Sequence, residues 1–188
     1  SFISCICKLE THPILLIWGP LKHRQQKEGS SLQNGFSDVL KDRTTRGILA
    51  GINSGIPALV GYNHIASHFG LSTLLWADFL GFFVLGGKPE STPEMVFSTL
   101  CVFGWLGALG GLFSHLLVKI SEKNHMLKSW YYSVGIWFLS HAVTQLFQVP
   151  HLAGPLPLKT PVSNLVGATI WGIFLSSVLK YLDARAHC

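Results

Sequence analysis

The chain has 188 residues, of which 48% are hydrophobic and only 12% charged, with a formal net charge of +5 and a mean hydropathy of +0.40. A soluble domain carries about 25% charged residues, so the composition argues against an ordinary soluble fold and for a membrane protein. The basic residues stand in short clusters beside apolar runs, and no aromatic-plus-basic stretch of the single-strand-binding kind occurs, which excludes nucleic acid as the expected partner.

Residues 1–42 differ from the rest. KHRQQKEGSSLQNG at 22–35 is polar and turn-rich and predicts a flexible N-terminal segment. From residue 43 to 188 the pattern is that of an integral membrane helical domain. The cysteines Cys5, Cys7, Cys101 and Cys188 show neither a disulfide framework nor a paired CxxC zinc site.

The first predicted span covers 47–69. Gly47, Gly51 and Gly55 recur every fourth residue, a doubled GxxxG that admits a neighbouring helix at close range. Pro57 removes one backbone donor and is expected to kink this helix. The span ends in VGYNHIASHFG at 60–70. There Asn63 precedes His64 and His68, whose spacing puts both imidazoles on one helical face.

An apolar run follows at 71–87, with Asp78 at its middle. A second span is predicted over 93–118, entered through Thr92 as cap and Pro93 as first helical residue. It carries Gly104, Gly107, Ala108, Gly110 and Gly111. A third span, 127–149, opens on Trp130, Tyr131 and Tyr132, which suit an interfacial aromatic belt, and holds Trp137, His141 and Gln145. A fourth, 161–182, is entered through Thr160 and Pro161 and carries Asn164, Ala168 and Gly172. The stripes of Gly47, Gly51 and Gly55, of Gly107 and Gly111, and of Ala168 and Gly172 predict a tight bundle. One of them could also serve a homo-oligomer or a membrane protein partner.

Charge decides how 71–87 is read. With four crossings and the N-terminus inside, the cytoplasmic side receives Lys41, Arg43, Arg46, Lys119, Lys123, Lys128, Lys180 and Arg185, and the outside only Lys88 and Lys159. If 71–87 also crosses, the bias disappears. The positive-inside rule therefore favours four crossings, both termini cytoplasmic. The expected fold is all-α: a four-transmembrane-helix bundle with an additional non-spanning apolar helix at 71–87, re-entrant or interfacial.

Depth follows from about 1.5 Å of rise per residue. His64, His68, Asp78, His141, Gln145 and Asn164 then fall in one outer layer, whereas His115 lies near the inner end. Ionisable groups inside a membrane are functional candidates. The first reading of this layer is a hydrogen-bonded polar cluster, with Asn63, Gln145 and Asn164, that orients helices. No cofactor is then expected. The second is a divalent metal site, zinc for example, with His64, His68, Asp78 and His141 as ligands. The third is a proton or solute path.

No G-x-S-x-G, H-E-x-x-H or phosphate-binding loop is present. Ser140 and His141 are adjacent, so their side chains diverge on a helix. The chain reads as a non-enzyme.

RGILAG at 46–51, GKPE at 87–90, LKSW at 127–130 and the set Pro161, Ser163, Asn164, Gly167 and Ala168 resemble small uncharacterised four-helix membrane proteins of spore-forming, Gram-positive bacteria. The resemblance covers residues 43–183. It implies a cell-membrane bundle and no particular activity. The functional expectation is a non-enzymatic membrane component acting on the lipid bilayer side through helix packing or partners. The alternatives are a metal- or proton-handling protein and a small transporter subunit.

Overall fold

A computed structural model describes residues 41–120, 123–149, 152, 154 and 156–186. The polar N-terminal segment expected over 1–42 therefore lies outside the described residues, Lys41 and Asp42 apart. Among the described residues every regular element is helical. In chain order they are α1 (Arg43–Gly55), a π-helical stretch (Ile56–Tyr62), α2 (Asn63–His68), α3 (Trp76–Val84), α4 (Thr92–Ile120), α5 (His125–Leu146) and α6 (Lys159–Ala186). Two of them, α4 and α6, are long and apolar enough to cross a membrane. The predicted spans 93–118, 127–149 and 161–182 each fall on one helix, to within a few residues at each end.

The predicted span 47–69 is a continuous rod made of α1, the π stretch and α2. Backbone angles stay helical at Gly55, Ile56, Tyr62 and Asn63. Pro57 cannot donate, and its ring crowds the carbonyl one turn back. The Ile56 N–H instead closes a tight bond to Asn53 C=O, and the following residues widen into π geometry. The disturbance expected at Pro57 is thus spread over several residues.

Asp42 starts α1. Its carboxylate accepts from the Thr45 hydroxyl, from Thr45 N–H at 2.9 Å and from Thr44 N–H at 3.3 Å. The Thr45 hydroxyl, then the Thr45 N–H, hold its pKa below the ordinary carboxylate range. A depressed folded pKa means the cap's contribution is present above the unfolded value and is lost as pH falls through the folded value. Asp42→Ala should therefore lower the melting temperature in detergent at neutral pH. The gap between variant and wild type should close in strong acid. A gap that persists there would contradict this account.

At the start of α4 the cap is Ser91, not Thr92. Ser91 Oγ accepts from Glu94 N–H, while Glu94 Oε2 accepts from Glu90 N–H at 2.9 Å and Ser91 N–H at 3.3 Å. Ser-Thr-Pro-Glu is a capping box, and its Glu three residues on was the overlooked signal. The predicted entrance at Thr160 is corrected too, since α6 already begins at Lys159. The α2 end closes as a Schellman turn. Gly70 adopts φ 61°, and the Leu71 N–H reaches Ala66 C=O at 2.8 Å.

The rods pack antiparallel. The start of α1 meets the end of α4, where Arg43 Nε donates to Ser114 C=O at 2.9 Å and Thr44 Oγ1 meets His115 Nε2 at 2.9 Å. The start of α5 meets α6, where Ser129 Oγ donates to Gly172 C=O at 2.6 Å. Arg46 Nε bonds Asp183 Oδ1 at 2.7 Å, joining α1 to the end of α6. The apolar core runs through Ala50, Val102, Leu106, Leu109, Leu117, Trp171, Leu175 and Leu179.

Every glycine or alanine assigned to packing is buried: Gly47, Gly51, Gly55, Gly107, Gly111, Ala168 and Gly172. The tightest position is Gly51, whose Cβ would overlap Leu106 C=O, and Gly110, outside the predicted stripe, is nearly as close. A Cβ on Gly110 would overlap Gly47 C=O and lie 2.7 Å from Gly51 Cα. Gly107 and Gly111 receive the Ile52 and Ile48 side chains instead. On α5 the small residues facing Gly172 are Ser129 and Ser133. Their four-residue spacing was legible as a small-xxx-small pair.

Candidate functional site

The bundle has two chemically different ends. The Arg46 end gathers the start of α1, the end of α4 and the end of α6, with the start of α5 set against the middle of α6. The opposite end gathers α2, α3, the end of α5 and the start of α6. It is tied by Thr73 Oγ1 to Thr160 Oγ1 at 2.8 Å, Thr73 N–H to Thr160 Oγ1 at 3.2 Å, and Lys159 Nζ to Gly70 C=O at 3.0 Å. The expected polar layer lies at this second end.

Its members have separate environments. Asp78 is 3% exposed. Its Oδ2 accepts from Leu75 N–H at 2.8 Å, capping α3, and lies 3.6 Å from Lys88 Nζ. A carboxylate so committed is a structural anchor for a short helix, helped by the helix dipole. His64 and His68 are exposed, and His68 stacks edge-on against Phe69. Their side chains point away from the core, whereas Asn63 and Ala66 of the same short helix are buried. Gln145 exchanges weak bonds with the backbone of Gly154.

His141 is the inward-facing histidine. Its ring packs against Trp137, with centroids 4.9 Å apart, and against Phe79 of α3 at 5.6 Å. Nδ1 lies 3.0 Å from Trp137 C=O. A carbonyl only accepts, so Nδ1 carries the proton and Nε2 presents a lone pair. Among the described residues that Nε2 is buried without a hydrogen-bond partner, and so are Trp137 Nε1, Asn164 Nδ2 and Ser98 Oγ. All four lie in the half of the bundle next to the Asp78 end, judged by their positions along α4, α5 and α6. His141 can accept one proton or one hydrogen bond there. Among the described residues no group of three or more His, Cys, Asp or Glu is placed to hold a metal. The set His64, His68, Asp78 and His141 is not brought together.

Sequence reading missed two contacts at this end. Tyr62 OH meets Ser163 Oγ at 2.9 Å, and Thr160 ties down the α2–α3 connection. Both involve ordinary hydroxyl residues, whose partners depend on helix rotation. Among the tryptophans of the long helices, Trp171 donates its Nε1–H to Gly51 C=O at 3.1 Å. Trp105 instead points outward, 52% exposed.

The perimeter is apolar and the interior is dotted with hydroxyls. Leu100, Phe138 and Leu139 are 63%, 66% and 56% exposed, while Ser54, Ser98, Ser114 and Ser129 are fully buried. Ser54, Ser114 and Ser133 donate back to carbonyls of their own helices, which satisfies them without a partner helix. No protein family, characterised protein or solved structure compared with the chain matches it.

Proposed function

We propose that the chain is a multi-pass membrane component that crosses the bilayer four times, with the Arg46 end in the cytoplasm and both termini on that side. Its role is non-enzymatic: a compact helical body that acts through packing with lipid and with membrane partners. The setting implied by the sequence resemblance is the cell membrane of a spore-forming bacterium. The observation that carries the reading is the inverted surface. Large apolar side chains such as Leu100 and Phe138 face outward while serines line the interior, which suits hydrocarbon rather than water as the surrounding solvent. The charge bias supports the orientation, since the Arg46 end holds most of the basic residues. At nine residues, α3 is about 13 Å long, less than half the hydrocarbon thickness, which supports four crossings rather than five.

Single cysteines at positions 88 and 123, introduced as Lys88→Cys and Lys123→Cys in a cysteine-free background, test this. An impermeant maleimide should label position 88 on intact cells and position 123 only on inverted vesicles. Labelling of both from the same side would overturn the topology.

A further inference from the structure

The charge difference between the two ends goes deeper than a count. At the Asp78 end both cations are internally engaged, Lys88 with Asp78 at 3.6 Å and Lys159 with Gly70 C=O at 3.0 Å. At the Arg46 end it is the acids that are engaged. Asp42 caps α1, and Asp183 is held by Arg46 at 2.7 Å. Lys119, Lys180 and Arg185 stand exposed around them. Arg185 is held with its guanidinium carbon 4.7 Å from the centre of the Tyr181 ring, itself 54% exposed. A stacked guanidinium keeps its planar fork of donors oriented outward, the geometry that suits a phosphate. A tyrosine at the same level suits the headgroup layer.

We propose that the Arg46 end binds anionic lipid headgroups, with Lys119, Lys180 and Arg185 as the contacting cations and phosphatidylglycerol as the test ligand. The inference rests on the membrane reading above. Exposed cations beside an apolar perimeter meet the phosphate of a lipid whose chains lie along the bundle wall. Among the described residues the carboxylates at this end, Asp42 and Asp183, are already engaged.

The test is lipid retention by the detergent-solubilised full chain, followed by native mass spectrometry during titration with phosphatidylglycerol or phosphatidylcholine. Phosphatidylglycerol should bind at least about tenfold more tightly, and the preference should weaken with salt. Removing each of the three cations, in Lys119→Gln, Lys180→Gln and Arg185→Gln, should lower its affinity about fivefold per cation. The exposed positions leave the fold intact. The paired change Lys88→Gln and Lys159→Gln, at the other end, should leave binding unchanged. Equal affinity for the two lipids, or an equal loss from the Lys88 and Lys159 pair, would overturn the proposal. So would competition by glycerol 1-phosphate as strong as by the lipid, which would make the ligand a soluble phosphate. Failure of the membrane reading looks different: alkaline carbonate would strip the chain from membranes, and neither lipid would be retained.

Discussion

Gly51→Ala is expected to destabilise the bundle by about 3 kcal/mol, the upper range for forcing atoms into a packed core. Three helices meet at this residue. A Cβ on Gly51 would overlap Leu106 C=O and come 2.9 Å from its carbonyl carbon. That obstacle is backbone, so it cannot swing aside as a side-chain tip can. Relief requires α1 and α4 to separate, and Gly110, which approaches Gly47 and Gly51 in turn, would lose its contacts as well. The Gly51 carbonyl also accepts from Trp171 Nε1 at 3.1 Å and Ser54 Oγ at 3.0 Å, so a shift of α1 strains the contact with α6. On the membrane reading proposed above, dispersion between close backbones is the main force left when hydrocarbon replaces water outside. Gly104→Ala is the control. Nothing lies within 4 Å of a Cβ there, so helix propensity alone should apply and stabilise by up to about 1 kcal/mol. Thermal unfolding in detergent, followed by tryptophan fluorescence, measures both. Equal melting temperatures for the two variants would sink the close-packing account.

Asp183→Ala should cost about 2 kcal/mol. Arg46 is 8% exposed and faces Asp183 across 137 residues of sequence, so the pair fastens the first described helix to the last. Removing the carboxylate takes a charged acceptor from a buried guanidinium whose Nη1 also donates to Lys41 C=O at 3.1 Å. Loss of one partner of a fully buried pair costs about 3–5 kcal/mol. The Asp183 side chain is 30% exposed, and water screening reduces the figure. The combined change Arg46→Met and Asp183→Leu should recover at least half of the loss, because no charge is then stranded. A double variant whose loss equals the sum of the single losses would show that the two side chains act independently.

The elements themselves were legible. Runs of apolar residues about 20 long, broken by polar turns, marked four rods whose ends fall within a few residues of those expected, whereas the short helix expected over 71–87 is confined to Trp76–Val84. The glycine periodicity on α1 marked a close-packing face, and Gly47, Gly51 and Gly55 are all buried. That Asp78 and His141 come to the same end was legible too, because rise per residue is fixed, and Phe79 beside Asp78 packs on the His141 ring at 5.6 Å.

Helix rotation was not legible. A helix that is apolar all round has no preferred face of its own, and the face it buries is chosen by its neighbours. That choice turned His64 and His68 outward and His141 inward, and it set Gly110 against the backbone of α1 and Gly107 against its Ile48 and Ile52 side chains. It also brought Thr160 to Thr73 and Tyr62 to Ser163. Asp78 looked like a ligand because an acid in an apolar run is costly. Its cost is met locally by the Leu75 N–H and by Lys88, a solution that depends on the turn before α3 and the connection after it. The positions of the long helices and the charge of each polar connection thus follow from the chain itself, since they depend on residues near in sequence. Which side chains meet across helices is decided by packing alone, because small residues fix how closely the backbones approach and that distance fixes the rotation of every rod.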